Sequence, residues 1–171
     1  VAANLGHSNE KIAKAMYEQA KQVGFVHTMR FETDVLHKLA RKIVKMAPTS
    51  LNKVYFTSGG SEANESAIKL ARQYYRDRGK KDKHIVIGRW QSYHGNTFGS
   101  LSVGGDVKRR KPYTVNLMYA EHINSPYCYH CPFGRNQEDC VKNKNWSCVS
   151  ELERKITEIG AEHISAIIME P

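Results

Sequence analysis

A chain of 171 residues with 40% hydrophobic content and a formal charge of +9 is long enough to bury one core, and it holds no apolar run of the roughly 20 residues a membrane-spanning helix needs. The pI near 9.4 suits a polyanion-binding surface. The basic residues, however, come in short scattered groups (Lys80, Lys81 and Lys83; Lys108, Arg109, Arg110 and Lys111) without the interleaved aromatics of a single-strand platform. Neither nucleic acid nor membrane is an expected partner, and a cytoplasmic protein is the default. The chain begins at Val1, shows no signal-peptide pattern and stops at Pro171 directly after an apolar run, so both ends read as interrupted.

In chain order, Ile12, Ala15, Met16, Gln19, Ala20 and Val23 recur at three- and four-residue intervals and predict a surface helix ending at Gly24. A second stripe, Val35, Leu36, Leu39, Ala40, Ile43, Val44 and Ala47, opens after the capping residues Thr33 and Asp34 and stops at Pro48. Val54, Tyr55 and Phe56 predict a short strand, broken by Ser58, Gly59 and Gly60. Ser61 then starts a long helix to Gly79. In that helix Glu62 and Glu65 favour the N-terminal dipole, while Ala63, Ala67, Ile68, Leu70, Ala71, Tyr74 and Tyr75 are the expected buried face.

The unbroken apolar run Ile85, Val86 and Ile87 predicts an interior parallel strand, and Val115 to Tyr119 is a third strand candidate. Leu152, Ile156 and Ile159 predict a helix closed by Gly160, and Ile164 to Met169 a fourth strand. Alternating strands and helices predict an α/β fold, a three-layer sheet of mainly parallel strands with helices on both faces. The expected division is an N-terminal helical segment, residues 1–50, leading into a larger domain, residues 51–171.

Cys128, Cys131, Cys140 and Cys148 fall in one stretch, and without signs of export they are expected to be reduced. The Cys128-x-x-Cys131 pair admits a tetrahedral zinc site. Its spacing to Cys140 and Cys148 fits no common ribbon or knuckle, and Tyr127, Tyr129, Pro132, Phe133 and Gly134 suit an ordinary packed loop, so no metal ligand is assigned. A zinc-bearing basic binding module remains the reading from another functional class.

The strongest chemical signal is Thr57-Ser58-Gly59-Gly60-Ser61-Glu62-Ala63-Asn64. Glycines between a strand and a helix let unpaired amides converge on an anion, and phosphate is the natural guest. No Gly-Lys-Ser or Gly-Lys-Thr follows and the run is not G-x-G-x-x-G, so neither a Walker loop nor a dinucleotide fingerprint is present. A tight turn with a serine cap is the alternative.

The segment from Val54 to Arg72 resembles the phosphate-binding segment of class III pyridoxal-phosphate (PLP) aminotransferases. Four further stretches match that family in order: Asn4-Leu5-Gly6-His7-Ser8, Ser92-Tyr93-His94-Gly95-Asn96-Thr97, Glu151-Leu152-Glu153 and Ile168-Met169-Glu170-Pro171. The resemblance implies part of the large domain of the PLP-transferase fold type I. It also implies an enzyme transferring an amino group from an amine or amino acid to a 2-oxo acid, and a homodimer with residues 25–31 near the partner's pocket. By the same resemblance Gly60 and Ser61 would bind the cofactor phosphate, with Gly59 where relatives often have serine. Tyr93 would lie against the pyridine ring, His94 behind it, and Glu170 would order polar groups nearby. The lysine that carries the cofactor and the aspartate that faces the ring nitrogen would lie beyond Pro171; no lysine present matches, and the chain alone is expected to be inactive. A racemase or decarboxylase on the same fold is the nearest rival.

Overall fold

The computed structural model describes residues 3–170. Two compact units divide the chain, Val1–Tyr55 and Phe56–Pro171.

The first unit contains α1 (Glu10–Gln22) and α2 (Asp34–Met46). Asn9 caps α1 by accepting from the Ile12 amide at 3.3 Å, and Thr33 caps α2 by accepting from the Leu36 amide at 3.3 Å, each satisfying one of the helix's orphan donors. Asp34 lies one residue inside α2, where its charge meets the dipole. Neither helix contains a buried residue.

The second unit opens with α3 (Gly60–Asp77), closed by Gly79 in the left-handed region at φ +75. It then runs through β1 (Ile85–Arg89), α4 (Phe98–Val103), α5 (Val107–Arg110), β2 (Glu121–Ile123), α6 (Gln137–Asn143), α7 (Ser147–Ile159) and β3 (Ile164–Ile167). The sheet is parallel throughout, in the order β2-β1-β3, with Ile87 opposite Glu121 on one side and Ile167 on the other. As its unbroken apolar run predicts, β1 is central, and Ile85, Val86, Ile87 and Gly88 are all buried.

Side chains alternate across a strand, so consecutive residues of β1 meet different layers. Ile87, with Ile123 and Ile164, packs against Leu152, Ile156 and Ile159 of α7. Each fully buried Ile or Leu contributes about 1.5–3 kcal/mol. Gly88 faces α4, where a Cβ would stand 2.1 Å from the Val103 carbonyl oxygen, and α3 packs on α4 and β3. Helices therefore cover both faces of the sheet.

Three expectations fail. Val54–Phe56 is not a strand: no neighbouring chain forms a ladder with it among the described residues, Tyr55 is exposed, and an extended segment without a partner is not sheet. Val115–Tyr119 is not one either. Lys111–Asn116 forms a 3-10 helix with Pro112 at its start, where a missing amide costs nothing, and pairing begins only at Glu121, which brings Ile123 rather than Val115 into the core. The inward face of α3 is also different. Ala63, Ala67, Leu70 and Tyr74 are exposed, while Ser61, Asn64, Glu65, Ile68 and Tyr75 are half-buried, a stripe at helical spacing whose first half is polar.

Candidate active site

The strand ends put several groups together at the carboxyl edge of the sheet, the edge where open α/β folds place ligands. Beyond β1 the chain runs through Trp90–Asn96, beyond β2 through Ser125–Tyr127, and beyond β3 to Glu170. A cleft of about 310 Å³ opens there, lined by Arg89, Gln91, Ser125, Tyr127 and Glu170 among others. Gln91 is held at φ +67, an uncommon conformation for a side-chain-bearing residue, and its Oε1 accepts from the Ser125 hydroxyl at 2.9 Å.

The N-terminus of α3 lies against the segment that follows β1, to which Ser61 and Asn64 are hydrogen-bonded. Gly59 is the cap residue, extended, with no side chain to accept from the first turn. The first intrahelical bond runs from the Ala63 amide to the Gly59 carbonyl at 3.0 Å, which leaves the amides of Gly60, Ser61 and Glu62 ahead of the ladder, together with the positive end of an 18-residue helix. The Ser61 hydroxyl oxygen accepts from the Asn96 amide at 2.9 Å; an oxygen that accepts can still donate its own hydrogen.

Three polar residues on the inward face of α3 fasten the Tyr93–Ser100 segment over this turn. Besides Ser61, Asn64 donates its side-chain amide to the His94 carbonyl. The Glu65 carboxylate accepts from the amides of Gly99 at 2.8 Å and Ser100 at 3.2 Å, capping α4, and the Ser100 hydroxyl donates to the Ser61 carbonyl at 3.0 Å. Hydrogen bonds to a charged group contribute about 1.5–3 kcal/mol each and neutral ones about 0.5–1.5. The approach is close enough to demand glycine. At Gly95, with φ +138, a Cβ would stand 2.5 Å from Ser61 Oγ and 2.9 Å from Ser61 Cα; at Gly99 it would stand 2.3 Å from a Glu65 carboxylate oxygen.

His94 is buried, and its Nε2 has no hydrogen-bond partner among the described residues. Burial pulls its pKa below the ordinary histidine value, and the charge of Glu170 opposes this more weakly, so the ring is neutral at neutral pH. Glu170 accepts from the Tyr93 backbone amide at 2.8 Å. The Tyr93 ring is 47% exposed at the edge of the site, with the Arg109 guanidinium 4.8 Å from its centroid and Arg109 in turn paired to Asp106 at 3.1 Å.

Gly60, Ser61, Tyr93, His94 and Glu170 thus belong to one neighbourhood through direct bonds or shared backbone, with Gly59 as its cap. Pro171 lies outside the described residues. Sequence reasoning missed Asn64, Glu65, Asn96 and Ser100. The available signal was the polar triplet Ser61, Asn64 and Glu65 at i, i+3, i+4, which puts three polar side chains on one helix face.

The class-III aminotransferase profile matches residues 1–171. The chain belongs to that family. It is 32% identical to a putrescine–pyruvate aminotransferase of Pseudomonas aeruginosa, over 98% of this chain and 36% of the relative. It is 33% identical to a leucine/methionine racemase of Thermococcus litoralis, again over 98% and 36%. The crystal structure of an omega transaminase from Pseudomonas jessenii in complex with PMP superposes with a TM-score of 0.89 at 32% identity, covering 99% of this chain and 37% of that one. The chain spans little more than a third of the length of these class-III relatives. None of its described helices is long and apolar enough to cross a membrane.

Proposed function

We propose that the protein carrying this chain is a PLP-dependent aminotransferase that moves an amino group from an amine or amino acid to a 2-oxo acid. The observation that carries this reading is the convergence, at the carboxyl edge of the sheet, of the α3 N-terminus with the Tyr93–Gly95 segment and Glu170. The residues fit the cofactor. Free first-turn amides and the Ser61 hydroxyl match a phosphate, the Tyr93 ring offers an aromatic face, and the buried His94 Nε2 has no hydrogen-bond partner among the described residues.

When bound, the cofactor supplies a conjugated ring that takes up the electron pair released at the substrate carbon. The protein's part is to bind and orient. Gly60 and Ser61 hold the phosphate by backbone amides and hydroxyl; Tyr93 sets the tilt of the ring, a stacking contact of about 0.5–1.5 kcal/mol beyond its buried area. His94, neutral and behind Tyr93, presents a polar nitrogen without adding charge. Glu170 ties the Tyr93 backbone to the end of β3. Asn64 and Glu65 keep the segment from drifting, since misplacement by about 1 Å costs a hundredfold in rate.

The same reading takes residues 1–50 as a helical lead into the large domain and residues 51–171 as part of it. It takes the working form as a cytoplasmic homodimer with residues 25–31 near the partner's pocket, and small molecules rather than nucleic acid or membrane as its partners. A second reading has specific support, because one relative is named as a racemase: retention of the amino group with inversion at its carbon. Incubating the full-length protein with PLP, an amino donor and a 2-oxo acid separates the two. Appearance of the donor's carbonyl product together with a new amino acid supports transfer; racemised donor without carbonyl product supports the rival; failure to bind PLP refutes both.

A further inference from the structure

Four consecutive cations, Lys108, Arg109, Arg110 and Lys111, follow Asp106, and the fold gives the two arginines different tasks. Arg110 turns back toward α4. Its Nη1 donates to the carbonyls of Leu101 at 2.7 Å, Ser102 at 2.6 Å and Gly104 at 2.8 Å, which serves the unpaired carbonyls at the end of α4 and ties α5 to it. Arg109 turns toward the candidate site, with its guanidinium carbon over the Tyr93 ring, 4.8 Å from the centroid.

That placement is fixed from two directions. The Gln91 amide donates to the Gly105 carbonyl at 2.9 Å and the Gly105 amide to the Ser92 carbonyl at 3.0 Å, so the lead into α5 is bonded to the two residues before Tyr93. The approach is close: a Cβ at Gly105 would stand 2.0 Å from the Arg89 carbonyl oxygen and 2.4 Å from Trp90 Cα. Asp106 then does two things with one carboxylate. Its Oδ1 accepts from the Lys108 and Arg109 amides at 3.1 and 3.2 Å, capping α5, and its Oδ2 accepts from Arg109 Nε at 3.1 Å.

Tyr93 is a residue for which such a partner matters. Its backbone amide is held by Glu170, yet its ring is exposed, and an exposed ring on a fixed backbone can still turn among three staggered χ1 wells. A cation over one face favours one of those wells and leaves the opposite face to a flat guest. Given the aminotransferase reading, on which this rests, we propose that Arg109, held by Asp106, is a positioning residue that sets the Tyr93 ring for the cofactor and itself touches neither cofactor nor substrate. A ring released from Arg109 spends about a third of its time in the competent well, which raises the apparent dissociation constant for PLP about threefold.

The test is a double-mutant cycle in the full-length protein, read as PLP affinity by absorbance titration. Arg109→Ala should weaken PLP binding about threefold, while the unfolding midpoint of the cofactor-free protein stays put, because an exposed ion pair contributes little to stability. In a Tyr93→Ala background the same Arg109→Ala change should have no further effect. Lys108→Ala, which removes an equal charge from the neighbouring position, should leave PLP affinity unchanged. Arg109→Lys keeps the charge but not the Nε bond to Asp106, so it should lose only part of the affinity, and it carries the cycle should Arg109→Ala fail to fold. Unchanged affinity in Arg109→Ala overturns the proposal, as does an equal loss in Lys108→Ala, which would make the effect one of general charge. So does a loss that persists without the Tyr93 ring, or a raised KM for the 2-oxo acid at unchanged PLP affinity, since either would mean that Arg109 acts directly. Absence of PLP binding by the unmodified protein would sink the aminotransferase reading and this role together.

Discussion

Replacing Gly95 with alanine tests the close approach on which the candidate site depends. The added Cβ would stand 2.5 Å from Ser61 Oγ, 2.9 Å from Ser61 Cα and 2.9 Å from Ser100 Cβ. Two of these atoms belong to backbone or to a side chain with no room to swing, so the segment itself must move. Holding a side-chain-bearing residue at φ +138 costs about 1–3 kcal/mol. Displacement also stretches the Asn96–Ser61 and Asn64–His94 hydrogen bonds, at about 1 kcal/mol each. The total is about 3–5 kcal/mol, shared between stability and cofactor affinity. Because 1.4 kcal/mol is a factor of ten, PLP should bind the full-length Gly95→Ala protein at least about tenfold more weakly in an absorbance titration, with a lowered unfolding midpoint. Gly24→Ala is the control, since its Cβ meets only the Ala20 carbonyl at 3.7 Å, and it should stay within about 0.5 kcal/mol of the parent. A Gly95→Ala protein with unchanged midpoint and unchanged PLP affinity refutes the packing argument.

Gly88→Ala should be worse for folding, because the obstructing atom, the Val103 carbonyl oxygen 2.1 Å away, is backbone of a buried helix. A loss of about 3 kcal/mol or more is expected, read from denaturant midpoints or from failure to recover folded protein. Glu65→Ala removes the cap of α4 and leaves the Gly99 and Ser100 amides unpaired. Chemical denaturation should show a loss of about 1.5–3 kcal/mol, and near-normal stability would contradict the assigned bonds. For pH, His94 and His122 both have folded pKa values lowered, in each case chiefly by burial. Below the ordinary value of 6.5 the unfolded chain takes up protons that the folded protein does not, so stability is full above 6.5 and declines as pH falls toward the lowered folded values. His94→Gln combined with His122→Gln should flatten that acid-side slope; an unaltered slope would mean that these two rings do not produce it.

Much of the frame is legible in local chemistry. Thr33 before a three-and-four stripe, Gly79 and Gly160 after theirs, and the unbroken Ile85–Ile87 run give helix limits and a central strand from neighbouring residues alone, because caps, φ preferences and periodicity act over a single turn. The glycine bend at Gly59–Gly60 with Ser61 is marked as an anion seat for the same reason, through free amides and a helix dipole. Long-range pairing is another matter. Val54–Phe56 and Val115–Tyr119 have strand-like residues but no pairing partner among the described residues, whereas Glu121–Ile123 pairs with β1 because Ile123 fills the core beside Ile87. The bonds from Ser61, Asn64 and Glu65 to residues about 30 to 39 positions away turn a polar face of α3 inward, against the simple rule that apolar residues choose the buried side. The same holds for the four cysteines: their spacing matches no familiar ligand pattern, and only the turn at Cys128–His130 together with the placement of α6 and α7 brings them around one space. What the amino acids decide by themselves is what a few adjacent residues can settle energetically; what required the fold is every contact whose partner lies far along the chain.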